Sequence, residues 1–167
     1  MKTIRLPRLP SAACLILPLL PVISSGAELD LRTAGSSGTI NGAFFTTSDP
    51  RSTGSGVIES FVRISNSGFE EGYNATVRPV MPNVNTSPTF THDISSIPIV
   101  VNPTGAAPGS YYEFLLDANQ SSSDPYLTLY SLRFYTNPNA LTMAATLADL
   151  TGASGTALRW NLDSGSD

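Results

Sequence analysis

Glycine and proline interrupt this chain at short intervals, with thirteen of each among 167 residues. Because both residues end helices and occupy turns, the spacing leaves little room for a long helix and predicts a series of short strands. The stronger predicted strands span residues 39–46, 57–65, 111–117, 130–136 and 156–163, and the weaker ones span 28–32, 73–80 and 94–101. Residues 140–150 contain neither glycine nor proline and fit either a short helix or a strand followed by a loop.

The clearest strand pattern lies at residues 111–117. One face of this segment is wholly apolar and the other is mixed, with Tyr112, Phe114 and Leu116 alternating with Tyr111, Glu113 and Leu115. Alternation with a period of two is typical of a strand that covers a core on one side. Trp160 shares a face of the predicted strand 156–163 with Leu158 and Leu162, which favours a core position over a platform that stacks on a sugar ring.

Short strands joined by turn-rich connections, without alternating strands and helices, predict the all-β class. The expected architecture is an antiparallel β-sandwich of the jelly-roll or immunoglobulin-like type, with residues 28–167 forming a single domain. The polar, turn-like end at residues 164–167 supplies no closing strand. The chain is therefore interpreted either as a natural short form or as an incomplete domain that is truncated at the C-terminus.

The first 27 residues predict a signal peptide. The basic residues Lys2, Arg5 and Arg8 precede an apolar run at 12–23 and small residues at 25–27. This order of a basic head, an apolar run and a small-residue cleavage site is typical of an export leader. A membrane helix is disfavoured because the run is shorter than the roughly 20 residues that span a bilayer and contains Pro18 and Pro21. We expect a secreted or cell-surface protein without a transmembrane segment in the mature chain.

The charge balance of residues 28–167 limits the partners. Six arginines, no lysine and thirteen acidic residues give this part of the chain a net charge of −7. Nucleic acids and anionic membranes need a basic face on their partner, so the charge argues against both. A polysaccharide or another surface protein is the expected partner. Cys14 leaves with the leader, so neither a disulfide nor thiolate chemistry is expected.

A calcium loop is the most specific chemical hypothesis. Oxygen-bearing side chains occupy near-alternate positions directly after a predicted strand, at Asp117, Asn119, Ser121 and Asp124. Calcium takes about six to eight oxygen ligands from a flexible loop. However, Ser122 stands where an EF-hand-like loop needs glycine, and Thr128 stands where it needs the closing carboxylate. An ordinary hydrogen-bonded Asx turn is the competing interpretation.

The remaining residues favour a non-catalytic binding or structural role at the cell exterior. We do not expect the chain to be an enzyme. His92 is the only histidine and no serine lies in a G-x-S-x-G motif, which argues against a zinc site and a serine hydrolase. A carbohydrate-binding module is the first alternative, with Tyr73, Tyr111 and Tyr126 as stacking residues. The second alternative is an extracellular hydrolase that joins carboxylates from separate strands, chosen from Glu59, Glu70, Glu71, Glu113 and Asp117.

Several short motifs follow one another along the chain: GSGVI at 54–58, FVRI at 61–64, EGYN at 71–74, RPV at 78–80, FT at 90–91, YEFLLD at 112–117, NQ at 119–120, and residues 127–132. Together they resemble a family of exported bacterial proteins without an assigned biochemical activity, some of which end in a PEP-CTERM-type sorting tail. The resemblance implies no catalytic motif. It implies a chain that continues past Asp167, and an acidic residue where this chain has Tyr130, which weakens the calcium hypothesis.

Overall fold

The computed structural model describes residues 2–7, 28–48, 60–64, 68–74, 90–117, 123, 126–139 and 146–163. The strands are β1 (Lys2–Pro7), β2 (Ser37–Ile40), β3 (Ala43–Thr46), β4 (Ile99–Val101), β5 (Ser110–Leu116), β6 (Arg133–Thr136) and β7 (Ala157–Asn161). The described residues also contain a 3-10 helix, Ile94–Ser96, and a short α-helix, α1 (Leu147–Gly152). This strand-rich content in antiparallel sheets confirms the all-β class.

Five strands form one sheet in the order β2-β3-β1-β5-β4, and each hydrogen-bonded pair is antiparallel. The buried core of this sheet comes mainly from its three central strands, with Ile4 and Leu6 on β1, Ala43, Phe44 and Phe45 on β3, and Tyr111 on β5. Among the described residues, a second sheet contains β6 and β7. The sandwich arrangement predicted from the sequence stays a proposal.

A tight hairpin replaces the single strand that the sequence predicts at residues 39–46. The chain turns at Asn41 and Gly42, which both have positive φ angles, of 49° and 78°. Positive φ at both central residues is the signature of a two-residue type I′ turn, for which Asn-Gly is a preferred sequence. The prediction of one continuous strand was therefore wrong, because the turn pairs β2 with β3.

The central strand β1 lies within the stretch that the sequence assigns to an export leader. Its register aligns Ile4 with Phe114 on one side and with Phe45 on the other. Six residue pairs join β1 to β5, and three join it to β3. Residues 8–27, which include the apolar run and the predicted cleavage site, lie outside the described residues.

The strand predicted at 111–117 is confirmed as β5, Ser110–Leu116. Only the last three residues of the strand predicted at 94–101 are present as β4, and Ile94–Ser96 forms a 3-10 helix instead. The helix begins where the Asp93 side chain accepts a hydrogen bond from the Ser95 backbone N–H, at 2.8 Å. A side-chain acceptor at this position satisfies a backbone donor that the first helical turn leaves free.

The smaller sheet places Trp160 in the protein interior. The strand predicted at 156–163 is present as β7, and the end of the prediction at 130–136 is present as β6. Trp160 is buried, with its ring 6.1 Å from the Phe134 ring of β6. Leu158, predicted on the same face, is 51% exposed, so its predicted core position was wrong. A two-stranded sheet buries only part of a face, which explains the difference.

Helix α1 settles part of the ambiguity at residues 140–150. The Thr146 side chain accepts a hydrogen bond from the Asp149 backbone N–H, and the Asp149 carboxylate accepts one from the Thr146 backbone N–H. This reciprocal capping box starts the helix at Leu147. Leu150 is buried on the helix and packs against Tyr73 and Tyr135. Residues 140–145 lie outside the described residues.

The remaining strand predictions have mixed outcomes. Residues 28–32 and 73–74 are not strands, and residues 60–64 contain an isolated β-bridge at Ile64. The rest of the predictions at 57–65 and 73–80 lies outside the described residues.

The chain divides into two compact units. The first contains Met1–Thr53, Pro98–Leu132 and Asn161–Asp167, and the second contains Gly54–Ile97 and Arg133–Trp160. The single-domain organisation predicted from the sequence stays a prediction.

Candidate binding surfaces

The predicted calcium loop begins at the end of β5. Asp117 follows the strand directly and is exposed. Asn119, Ser121 and Asp124 lie outside the described residues. Within the part of the chain that the structure describes, no three His, Cys, Asp or Glu side chains form a group that could hold a metal ion. Calcium binding by this loop stays a prediction.

The three predicted stacking tyrosines differ in exposure. Tyr111 is buried, and its hydroxyl donates a hydrogen bond to the Ala107 carbonyl at 2.9 Å. Tyr73 is half-buried and packs against Leu150. Tyr126 is 59% exposed. Stacking on a sugar requires an accessible ring face, so of the three Tyr126 is the one placed for it.

The hydroxyl of Tyr73 is buried and has no hydrogen-bond partner among the described residues. Burial raises the pKa of Tyr73, and the negative charge of Asp149 raises it further. Both effects disfavour the phenolate, so Tyr73 stays a neutral phenol at neutral pH.

An exposed aromatic segment lies between the predicted calcium loop and β6. Tyr130 is 72% exposed, and Leu129 and Tyr126 are also exposed. The Arg32 guanidinium carbon lies 5.8 Å from the centre of the Tyr126 ring, and Asp30 holds the guanidinium with an Nη2–Oδ2 distance of 2.6 Å. A guanidinium over one face of an aromatic ring is a cation–π contact, and it leaves the opposite face of the Tyr126 ring for other contacts.

Tyr130 and Arg32 were not among the binding residues predicted from the sequence. A signal for the first was present, because Tyr126, Leu129 and Tyr130 place three large apolar side chains within five residues. Such a concentration on a charge-poor segment indicates a binding surface when the side chains are exposed. No sequence signal placed Arg32 beside Tyr126, because the pair joins distant parts of the chain.

The larger sheet has β2 at one edge of its described strands and β4 at the other. Ile99 and Val101 lie on one face of this strand and are 48% and 65% exposed. The Pro98 carbonyl accepts from the Glu113 N–H at 2.9 Å, and the Asn102 N–H donates to the Gly109 carbonyl at 2.8 Å.

This bonding pattern sets the direction of the β4 backbone groups. In an antiparallel pair, residues alternate between positions bonded to the neighbour and positions that point away from it. Since Pro98 and Asn102 bond to the β5 side, the N–H and C=O groups of Ile99 and Val101 point away from β5. The edge therefore presents backbone hydrogen-bonding groups together with two apolar side chains, which is the surface to which a further strand can add.

Glu113, one of the carboxylates considered for a hydrolase, forms an ion pair in this structure. Both Nε and Nη2 of Arg5 lie 2.9 Å from its Oε2 atom. The two side chains are 18% and 9% exposed, so the pair is largely shielded from water. The same two residues face each other in the register of β1 and β5.

The other candidate carboxylates are distributed over different parts of the chain. Glu70 and Glu71 are exposed next to Phe69, whose side chain is 67% exposed. Asp117 is exposed after β5, and Glu59 lies outside the described residues. Hydrolase activity stays a prediction.

His92 belongs to an aromatic cluster. Its ring stacks on Phe61 at 5.3 Å and meets Phe90 edge-on at 6.0 Å. The Ser96 hydroxyl lies 3.3 Å from Nδ1 of His92 and donates its proton to the Asp93 carbonyl at 2.6 Å. Because a hydroxyl has one proton, Ser96 can only accept from the imidazole, which is the reverse of nucleophile activation.

Comparisons with protein-family models, curated proteins and solved structures found no match. The resemblance to exported bacterial proteins therefore stays an expectation from the sequence. Among the described residues, no helix combines the length and the apolar character needed to cross a bilayer.

Proposed function

We propose that this chain is an exported β-sandwich protein that binds another surface protein at the cell exterior without catalysing a reaction. Support for export comes from the basic head, apolar run and small-residue site of the first 27 residues. Support for a protein partner comes from the sheet edge at β4.

The exposed edge of β4 is the observation on which the proposal rests. Ile99 and Val101 leave large parts of two β-branched side chains in water. Exposed apolar edge strands are usually blocked by charge, proline or a bulge, because they pair readily with other chains. Here the two side chains carry no charge, and Pro98 and Pro103 lie outside the three residues of β4, so the edge can accept a short strand from a partner. Main-chain hydrogen bonds would supply affinity, and the side chains would supply selectivity.

The test measures binding of fluorescently labelled protein, purified from the exported fraction, to isolated envelopes of the producing bacterium. We expect saturable binding that Val101→Lys weakens at least about tenfold, because lysine on an edge strand opposes strand pairing. Thr104→Lys is the matched control, since Thr104 is also exposed and the charge change is identical. It should leave binding unchanged.

The class of partner is tested by treating the envelopes before binding. Protease digestion should abolish binding, and periodate oxidation of polysaccharide should preserve it. If Val101→Lys and Thr104→Lys bind as the wild type does, the proposed role of β4 is wrong.

A carbohydrate-binding role is the second candidate, and exposure of Tyr126 and Tyr130 favours it. On this alternative, periodate would abolish envelope binding and protease would preserve it. Tyr130→Ala would then weaken binding, since loss of a stacked aromatic ring removes about 0.5–1.5 kcal/mol beyond its buried area.

Calcium is the proposed ligand of the loop that starts at Asp117. Because a bound ion stabilises the folded state, the melting temperature should be higher in excess calcium than in EDTA. Asp117→Asn should reduce this difference. Equal melting temperatures in calcium and EDTA would contradict the proposal.

A further inference from the structure

The central strand of the larger sheet comes from the segment that export is proposed to remove. β1 lies between β3 and β5, and its residues Ile4 and Leu6 are 3% and 7% exposed. Cleavage after Ala27 separates this strand from the rest of the chain. The mature protein then has to fill or close the position that β1 occupies.

Leaving the position empty is unfavourable. Every residue of β3 from Ala43 to Thr46 is buried, and so is Tyr111 on β5. Without β1, the apolar side chains beside it gain contact with water. The backbone groups of β3 and β5 that bond to β1 also lose their partners, and unpaired backbone groups inside a protein are costly.

Closing the position requires a large rearrangement. Both β3 and β5 are antiparallel to β1, so they run parallel to each other. They are two strand spacings apart, which is about 9.5 Å. Closure moves one side of the sheet by a whole strand spacing and replaces two antiparallel pairs with one parallel pair, the less stable kind. Insertion of another strand restores both pairs without moving the sheet.

We propose that removal of the leader makes the position between β3 and β5 a receptor site for an extended segment of another surface protein. This inference rests on the export and cleavage proposed above. The inserted segment runs antiparallel to both neighbours and carries an apolar, a basic and an apolar residue in succession. It is about six residues long, the length of β1.

The chemistry of this segment follows from what surrounds β1. An apolar residue is required opposite Phe45 and Phe114, where Ile4 now lies. The following position faces Glu113, whose carboxylate contacts Arg5 at 2.9 Å in a largely shielded environment. A basic residue preserves that ion pair, whereas an acidic one places two negative charges together. Leu6 defines the next apolar position.

The test starts from the full chain with a specific protease site inserted directly after Ala27, so that the sheet forms before the leader is cut. The probe is a labelled synthetic peptide with the sequence of residues 1–8. We expect no peptide uptake before cleavage and saturable uptake after cleavage, as the labelled strand replaces the leader. Uptake should raise the melting temperature of the cleaved protein.

Peptide variants test the stated chemistry. A peptide with Arg5→Glu should bind at least tenfold more weakly than the unchanged peptide. The protein variant Glu113→Lys, combined with Arg5→Glu in the leader so that the uncut sheet keeps its ion pair, should reverse this preference and favour the Arg5→Glu peptide. Reversal by a charge exchange shows that the peptide occupies the β1 register, which a general affinity for apolar peptides does not explain.

Two results would overturn the inference. One is a cleaved protein that loses its leader, keeps its sheet signal in circular dichroism and takes up no peptide. The other is uptake that is insensitive to both charge changes. Failure of the proposed function can be distinguished from failure of this inference. It would appear as a loss of export, or as envelope binding that Val101→Lys leaves unchanged, and neither result depends on peptide uptake.

Discussion

Phe44→Ala should destabilise the protein strongly. Phe44 is 2% exposed on β3, and a Cβ built on Gly105 would lie only 3.0 Å from its ring. Removing a buried phenylalanine side chain costs about 3–5 kcal/mol, and the cost increases when neighbours cannot fill the cavity. Gly105 has no side chain with which to fill it. We therefore expect the free energy of unfolding to fall by an amount near the upper end of this range, about 4–5 kcal/mol.

Urea unfolding followed by far-ultraviolet circular dichroism measures this loss. With a denaturant slope of about 2 kcal/mol per molar, the unfolding midpoint should fall by about 2 M. Phe69→Ala is the matched control, because it deletes the same side chain at a position that is 67% exposed. Its stability should change by less than about 0.5 kcal/mol. Equal losses for the two variants would refute the assignment of Phe44 to the core.

The other stability predictions concern a turn, a cap and a helix start. Gly42→Ala should cost about 1–2 kcal/mol in a thermal or urea melt, because alanine is strained at φ 78° next to Asn41; an unchanged melt would contradict the type I′ turn. Hydrogen bonds lower the pKa of the Asp93 carboxyl group, and the one from the Ser95 backbone N–H contributes most. The ionised carboxylate therefore stabilises the folded state above about pH 4, and this stabilisation is lost as pH falls through the lowered pKa. The advantage of the wild type over Asp93→Asn should therefore shrink on acidification, and a constant difference would contradict this. Thr146→Ala should cost about 1 kcal/mol by removing the cap of α1, with Thr146→Ser as the conservative variant that retains it.

The sequence predicted those elements whose signal is local. Period-two alternation at residues 111–117 predicted β5, and a shorter version of it predicted β7. The Asn41-Gly42 turn was missed although its signal is local, because β-branched and aromatic residues on both sides suggested one continuous strand. Burial of Trp160 was predicted correctly, but exposure of Leu158 was not, since it depends on how many strands the sheet contains.

Features that depend on distant parts of the chain could not be predicted in the same way. The charge and hydropathy of the first residues describe a leader, and they carry no information that Lys2–Pro7 pairs with β3 and β5. Likewise, nothing local indicates that Tyr111 is buried while Tyr126 is exposed beside Arg32. Candidate stacking residues were recognised by type, and their accessibility was set by the tertiary structure.

Export and cleavage are tested most directly by the N-terminal sequence of the chain recovered from producing cells after separation of the cytoplasmic and exported fractions. We predict a protein in the exported fraction that begins at Glu28, directly after the small residues at 25–27. A chain that is confined to the cytoplasm and still begins at Met1 would contradict export. It would also make Lys2–Pro7 a permanent strand of the sheet.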